Sequence, residues 1–155
     1  MIFTAPESTC NSKRTSFFLA GSIEQGKAEN WQVSLAKTLD CMGFDVFNPR
    51  RKEWDSSWEQ SYNNPQFYQQ VNWELSNLEK ADNIVFYFDP ITISPITLFE
   101  LGLAVATNYT TNIYVICPDG YFRKGNIEVI CDKYNICLFN SIQQFTWELE
   151  NENNE

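Results

Sequence analysis

The chain contains no histidine among its 155 residues. That absence excludes Ser-His-Asp and Cys-His mechanisms, His-liganded zinc or iron, and histidine-based pH switching. Acid–base or nucleophilic chemistry is left to carboxylates, thiols, Tyr, Lys or Ser. Basic residues are also few: 11 Lys and Arg stand against 20 Asp and Glu, a net charge of −9. Such a surface repels nucleic-acid backbones and anionic membranes, so neither is an expected partner. No apolar run reaches membrane-spanning length, and the opening MIFTAPESTCNSKRTS has no apolar segment long enough for a signal peptide. The five cysteines are odd in number and form no CxxC. Two of them, Cys117 and Cys137, lie in apolar runs, where a thiol usually packs as a small hydrophobe. These features read as a reduced, cytosolic protein.

What is present is a globular composition, 43% hydrophobic and 20% charged, at the length of one ordinary domain. Residues 1–16 are polar and irregular and read as a loose arm, residues 17–150 as one domain, and 151–155 as a tail. Between the ends, short apolar runs alternate with helical periods. Strands are expected at 17–20, 44–47, 83–88, 112–117 and 135–139. Helices are expected from Glu24 to Met42 (with Trp31, Leu35 and Leu39 on one face), over 66–80, from Pro95 to about Thr107, over about 125–133, and from Ser141. Ser94 before Pro95 suits an N-cap followed by proline at the first helical position. The alternation predicts an α/β flavodoxin-like three-layer sandwich with a five-stranded parallel sheet, order 2-1-3-4-5. Ligands then bind beyond the carboxyl ends of strands 1 and 3, where the order reverses.

Two carboxylates stand out. Glu100 is the only charge in SPITLFELGLAVA, a segment apolar enough all round to be buried. An ionised carboxylate there needs a partner, and its position does not fit a capping box, whose partner to Ser94 would be Thr97. Either it reaches a structural Arg or backbone amides, or it is held at the crevice for nucleophilic or acid–base work. Glu74 falls inside the arc formed by Phe67, Val71, Leu75 and Leu78 on the helical wheel, and not opposite it. Paired carboxyls whose environments separate their pKa values divide acid and nucleophile roles, the outline of glycosyl transfer.

Two loops could hold a substrate. Gly21-Ser22 follows the first strand, where glycine permits close backbone approach and a helix N-terminus attracts anions, although a glycine after a strand is most often only a turn. The stretch Asn48 to Pro65 has neither structural period and is long for a loop. Its Trp54 and Trp58 could stack on a base, Arg50 and Arg51 could hold a phosphate or carboxylate, and Asp55 could fix sugar hydroxyls. Alternatively, it is a flap packed down by its own tryptophans. Five of the eleven basic residues lie here and at Arg123-Lys124, a concentration that favours an anionic small ligand.

The ordered runs GSIEQGKAENW, NPRRKEWDSSW, QVNWEL, YFDPITISPITLFELGL and CPDGYFRKGN resemble the nucleoside 2-deoxyribosyltransferase family, in its deoxyribosyltransferase-like branch, from about Phe17 to Phe139. The resemblance implies cleavage of a base–deoxyribose bond through a glutamate nucleophile, matched by Glu100. A second carboxylate contacts the base and is matched by Glu74. With the loop residues, the candidate substrate-binding set takes in Gly21, Ser22, Arg50, Arg51, Trp54, Asp55, Asp89 and Ser94. Asn126 matches an Asn that reaches a neighbouring subunit's site, which implies a homo-oligomer. Typical members carry Asp where this chain has Ser94 and Glu74, and Tyr where it has Phe17. The implied activity is base exchange on a nucleoside, with no metal or redox cofactor. The alternatives are hydrolysis of a nucleoside monophosphate and nucleotide binding without catalysis.

Overall fold

The computed structural model describes residues 1–9, 13–23, 28–107 and 111–152. Six strands form one parallel sheet: β1 (Ile2–Thr4), β2 (Ser16–Gly21), β3 (Asp45–Asn48), β4 (Asn83–Tyr87), β5 (Asn112–Ile116) and β6 (Cys137–Phe139). They lie in the order β1-β3-β2-β4-β5-β6. From β2 to β6 this is the expected 2-1-3-4-5 arrangement of a flavodoxin-like sandwich. The sixth strand is the difference. It comes from the stretch read as an arm, and Ile2, Phe3 and Thr4 pair with Val46, Phe47 and Asn48 along the outer edge of β3. Phe3 lies 5.9 Å from the Phe47 ring, and the Met1 α-amino group donates to Asp40 and to buried Asp45.

The pleat of β2 divides the core. Phe17 and Leu19 face one helical layer, where α1 (Trp31–Cys41) and α5 (Ile142–Glu152) bring Trp31, Leu35, Leu39, Phe145 and Leu149. Phe18 and Ala20 face the other, where α2 (Pro65–Lys80), α3 (Pro95–Thr107) and α4 (Lys124–Tyr134) bring Leu78, Leu101, Ala104 and Ile127. Each parallel pair needs a crossover, and the helices supply it.

Several expectations are corrected. Residues 28–30 are not helical and α1 opens at Trp31; the expected start at Glu24 and the residue Cys10 lie outside the described residues. Cys117 is buried as expected, but Cys137 is exposed. The helix α3 is not buried all round, because Ile96 and Phe99 are each 64% exposed. Finally, α2 buries Gln70, Asn77 and Leu78, whereas Phe67, Val71 and Leu75 are only half-buried. The inward face of α2 is therefore largely polar. No described helix is long and apolar enough to cross a membrane.

Candidate active site

The order reverses between β2 and β4, and the residues after these strands meet at their carboxyl ends. Gly21 and Tyr87 are register partners there. A Cβ on Gly21 would lie 2.6 Å from both the Trp31 ring and the Tyr87 carbonyl oxygen. The glycine is thus required by packing within the chain: indole and strand occupy the approach. Trp31 Nε1 donates to the Ser22 carbonyl at 3.0 Å, which seats α1 on this turn.

Ser22, Thr92 and Ser94 form a buried hydroxyl cluster. Ser22 Oγ accepts from the Asp89 backbone N–H at 3.0 Å and from Thr92 Oγ1 at 2.9 Å, and it is hydrogen-bonded to Ser94 Oγ. Thr92 Oγ1 lies 2.7 Å from Ser94 Oγ and 2.8 Å from the Asp89 carbonyl. Asp89 is buried, and its Oδ1 accepts from the Ile91 N–H at 3.0 Å, closing the turn that follows β4. Ser94 stands at the start of α3 as expected, and its carbonyl accepts from the Leu98 N–H. Its φ of 45°, however, is left-handed, a conformation that costs a non-glycine residue about 1 kcal/mol. Such outliers persist where surrounding contacts hold them, often at functional sites.

The two carboxyls come together, since the charge of Glu74 acts on Glu100. Glu100, 8% exposed, is on the inward side of α3 and Glu74 is on the polar inward side of α2. Burial raises Glu74 to about 7, and burial together with the negative charge of Glu74 raises Glu100 to about 8. The pair therefore retains a proton near neutral pH, as neighbouring carboxyls in a dry site do. Glu74 Oε1 accepts from Gln70 Nε2 at 2.9 Å, and the same nitrogen donates to the Pro49 carbonyl at 2.7 Å.

Around the exit of β3, Arg50 Nη1 donates to the Glu29 carbonyl at 3.2 Å and Gln32 Oε1 at 3.3 Å. Desolvation lowers the Arg50 pKa. Arg51 Nη1 donates to Gln69 Oε1 at 3.2 Å, and its guanidinium lies 5.1 Å from the centre of the Trp58 ring. Trp58 in turn packs edge-on against Trp54, 5.3 Å away. Among the described residues neither arginine pairs with a carboxylate. Asp55 is exposed, and its Oδ1 accepts from the Ser57 N–H and hydroxyl, which holds its pKa below the usual range. Asn126 is exposed in the first turn of α4. The structure thus brings Gly21, Ser22, Asp89 and Ser94 into one cluster and Glu74 beside Glu100. It gathers Arg50, Arg51 and Trp54 at the adjoining loop, with Asp55 and Asn126 on the surface.

Residues 14–121 match the model of the nucleoside 2-deoxyribosyltransferase-like family. The chain belongs to that family. The matched segment contains both carboxyls and the hydroxyl cluster and stops short of Asn126. Two solved structures share the fold of this deoxyribosyltransferase-like protein. The CMP N-glycosidase of Clostridium botulinum is 19% identical, covers 88% of this chain and 98% of its own, and has a TM-score of 0.58. A conserved protein of Enterococcus faecalis V583 is 15% identical, covers 90% and 99%, and has a TM-score of 0.60. No protein of curated function matches the chain.

Sequence reading missed two members of the site. Thr92 was hidden in a short turn. Gln70 precedes Glu74 by one helical turn, and Gln70, Glu74 and Asn77 form a polar stripe at helical spacing that could have indicated the inward face.

Proposed function

We propose that this protein cleaves or exchanges the N-glycosidic bond of a nucleoside or nucleotide, with Glu100 as nucleophile and Glu74 at the base. The observation that carries the reading is the carboxyl pair on α2 and α3, Glu100 buried and Glu74 half-buried, close enough for the charge of one to raise the other. In the reaction, the pair shares one proton, and the reactive form is the one with that proton on Glu74: the ionised Glu100 attacks the anomeric carbon and forms a glycosyl ester as the C–N bond breaks. The bond's electron pair goes to the base nitrogen, which takes the Glu74 proton. A second base, or water, then attacks the anomeric carbon, gives its proton to the Glu74 carboxylate, and releases Glu100 as the ester C–O bond breaks. The steps need neither metal nor redox cofactor. In this reading Ser22, Asp89 and Ser94 take the sugar, and the neutral Ser94 tolerates a negatively charged substituent. A fold shared with a CMP N-glycosidase is consistent with the reading.

Arg50 and Arg51 give the hydrolysis of nucleoside monophosphates a specific basis as the second reading. Their acceptors in the protein are neutral, so a phosphate would be the stronger partner. A second copy of the chain is the proposed partner, in support of which Ile96 and Phe99 leave an apolar face on α3.

The test is incubation with a panel of nucleosides and nucleoside monophosphates, with and without a free acceptor base, followed by chromatography, with Glu100→Gln as control. Base exchange identifies a transferase, and free sugar or sugar phosphate a hydrolase. Binding without turnover, or full turnover by Glu100→Gln, refutes Glu100 catalysis.

A further inference from the structure

The side chain of Gln70 takes part in no step of the reaction above, yet it is 4% exposed and touches the acid directly. Its Nε2 reaches two acceptors, the Pro49 carbonyl at 2.7 Å and Glu74 Oε1 at 2.9 Å. Both partners are oxygens, so the orientation of the amide is fixed by the network. Pro49 is the first residue after β3 and opens the loop that carries Arg50, Arg51, Trp54 and Trp58. One amide group therefore ties three things together: the end of a central strand, the base of the aromatic loop and the acid on α2.

We propose that Gln70 is the positioning residue of Glu74: by donating to Oε1 it fixes the carboxyl rotation and leaves Oε2 as the oxygen that carries the proton toward the base. The proposal rests on the reading of Glu74 given above. The physical reason is selective. A carboxyl oxygen already accepting an N–H is the less basic of the two, so the proton goes to the other. A terminal carboxyl torsion is otherwise broad and would place the proton on either side of the plane. The Pro49 carbonyl anchors the amide to the end of β3, so the acid is referenced to the same sheet that holds Ser22.

The experiment compares wild type with Gln70→Met, which keeps length and volume, and Gln70→Asn, which keeps an amide too short to span both oxygens. Side-chain carboxyl carbons of labelled glutamate are titrated by NMR, with Glu74→Gln identifying the Glu74 resonance. In both variants Glu74 is expected to titrate about one pH unit higher, because a hydrogen bond to its ionised form is gone. On the substrate found by the panel, the alkaline limb of kcat should move in the same direction. The kcat itself should fall about tenfold or more, with KM little changed. A merely structural role would lower thermal stability and leave both titrations in place. Folded variants with an unmoved Glu74 titration overturn the proposal. Should both variants fail to fold, the wild-type Gln70 side-chain amide protons decide: they must titrate with Glu74, and their indifference overturns it equally. Full turnover by Glu74→Gln would instead refute the role of Glu74, whatever the amide protons do.

Discussion

Glu100→Gln should make the protein inactive and more stable at the same time, and the gain should depend on pH. A carboxyl that titrates at about 8 in the folded protein and near its ordinary 4.5 in the unfolded chain binds more protons when folded throughout that window. Stability therefore falls as pH rises from about 4.5 to about 8, and the full cost of the buried charge is felt above that. Three and a half units at about 1.4 kcal/mol each would give about 5 kcal/mol at the limit. Relaxation and water entry around the charge reduce this, so a working figure is about 2–4 kcal/mol at pH 8. Glutamine has the same shape and cannot ionise, so it should recover that amount at pH 8 and under about 1 kcal/mol at pH 5. For a chain of this size the recovery corresponds to about 5–15 °C in Tm. Thermal unfolding of wild type and Glu100→Gln at half-unit steps from pH 5 to 8.5 measures it. A gain that does not grow with pH, or a loss at every pH, would show that Glu100 is not a buried, largely unpaired acid and would remove the basis for reading it as a nucleophile.

Three other outcomes are expected. The wild-type pH–rate profile should be a bell with limbs near the 7 and 8 of the pair: below it both carboxyls are protonated and no nucleophile exists, above it both are ionised and no acid exists. In Glu74→Gln the alkaline limb should vanish and leave a single acid limb; an unchanged bell would refute the assignment. Gly21→Ala should lower stability by about 3 kcal/mol, since the new methyl meets a strand carbonyl that cannot withdraw; an unchanged Tm contradicts the contact. If the outer face of α3 meets a second copy, the wild type should sediment as a dimer or larger species and Phe99→Glu as a smaller one, and a fully active wild-type monomer would defeat that idea.

The central architecture was legible because strands β2 to β6 are short apolar runs that the helices separate cleanly, and parallel order follows from that alternation. Strand β1 was not, because Ile2–Thr4 offers too few positions to show any period; its pairing depends on the edge of β3, which lies more than forty residues away. Glu100 was legible as a charge in an apolar helix, and Glu74 for a reason that proved incomplete. The wheel placed it among Phe67, Val71 and Leu75 on the assumption that the inward face is the apolar one. The structure turns Gln70 and Asn77 inward instead, because this stretch of α2 covers a polar crevice as well as the core. The arginines show a further limit. Their number in one loop suggested a ligand, but spacing alone could not reveal that Gln32, Gln69 and Trp58 already engage them.

The hydroxyl cluster at the end of β2 has a consequence for how the chain acquires activity. Ser22 meets Asp89, Thr92 and Ser94 across 67 to 72 residues of sequence, and the β2–β4 pairing that brings them together joins Phe17 to Asn83. No contiguous fragment holding only one of these segments contains the site. Long closures of this kind form late and slowly, because the entropy of bringing the ends together is lost before any contact rewards it. Competence for catalysis should therefore appear with the last cooperative step of refolding, after helical signal has begun to return. A nascent chain should remain inert until α3 has left the ribosome. Turnover recovering ahead of the sheet in a refolding time course would contradict this order.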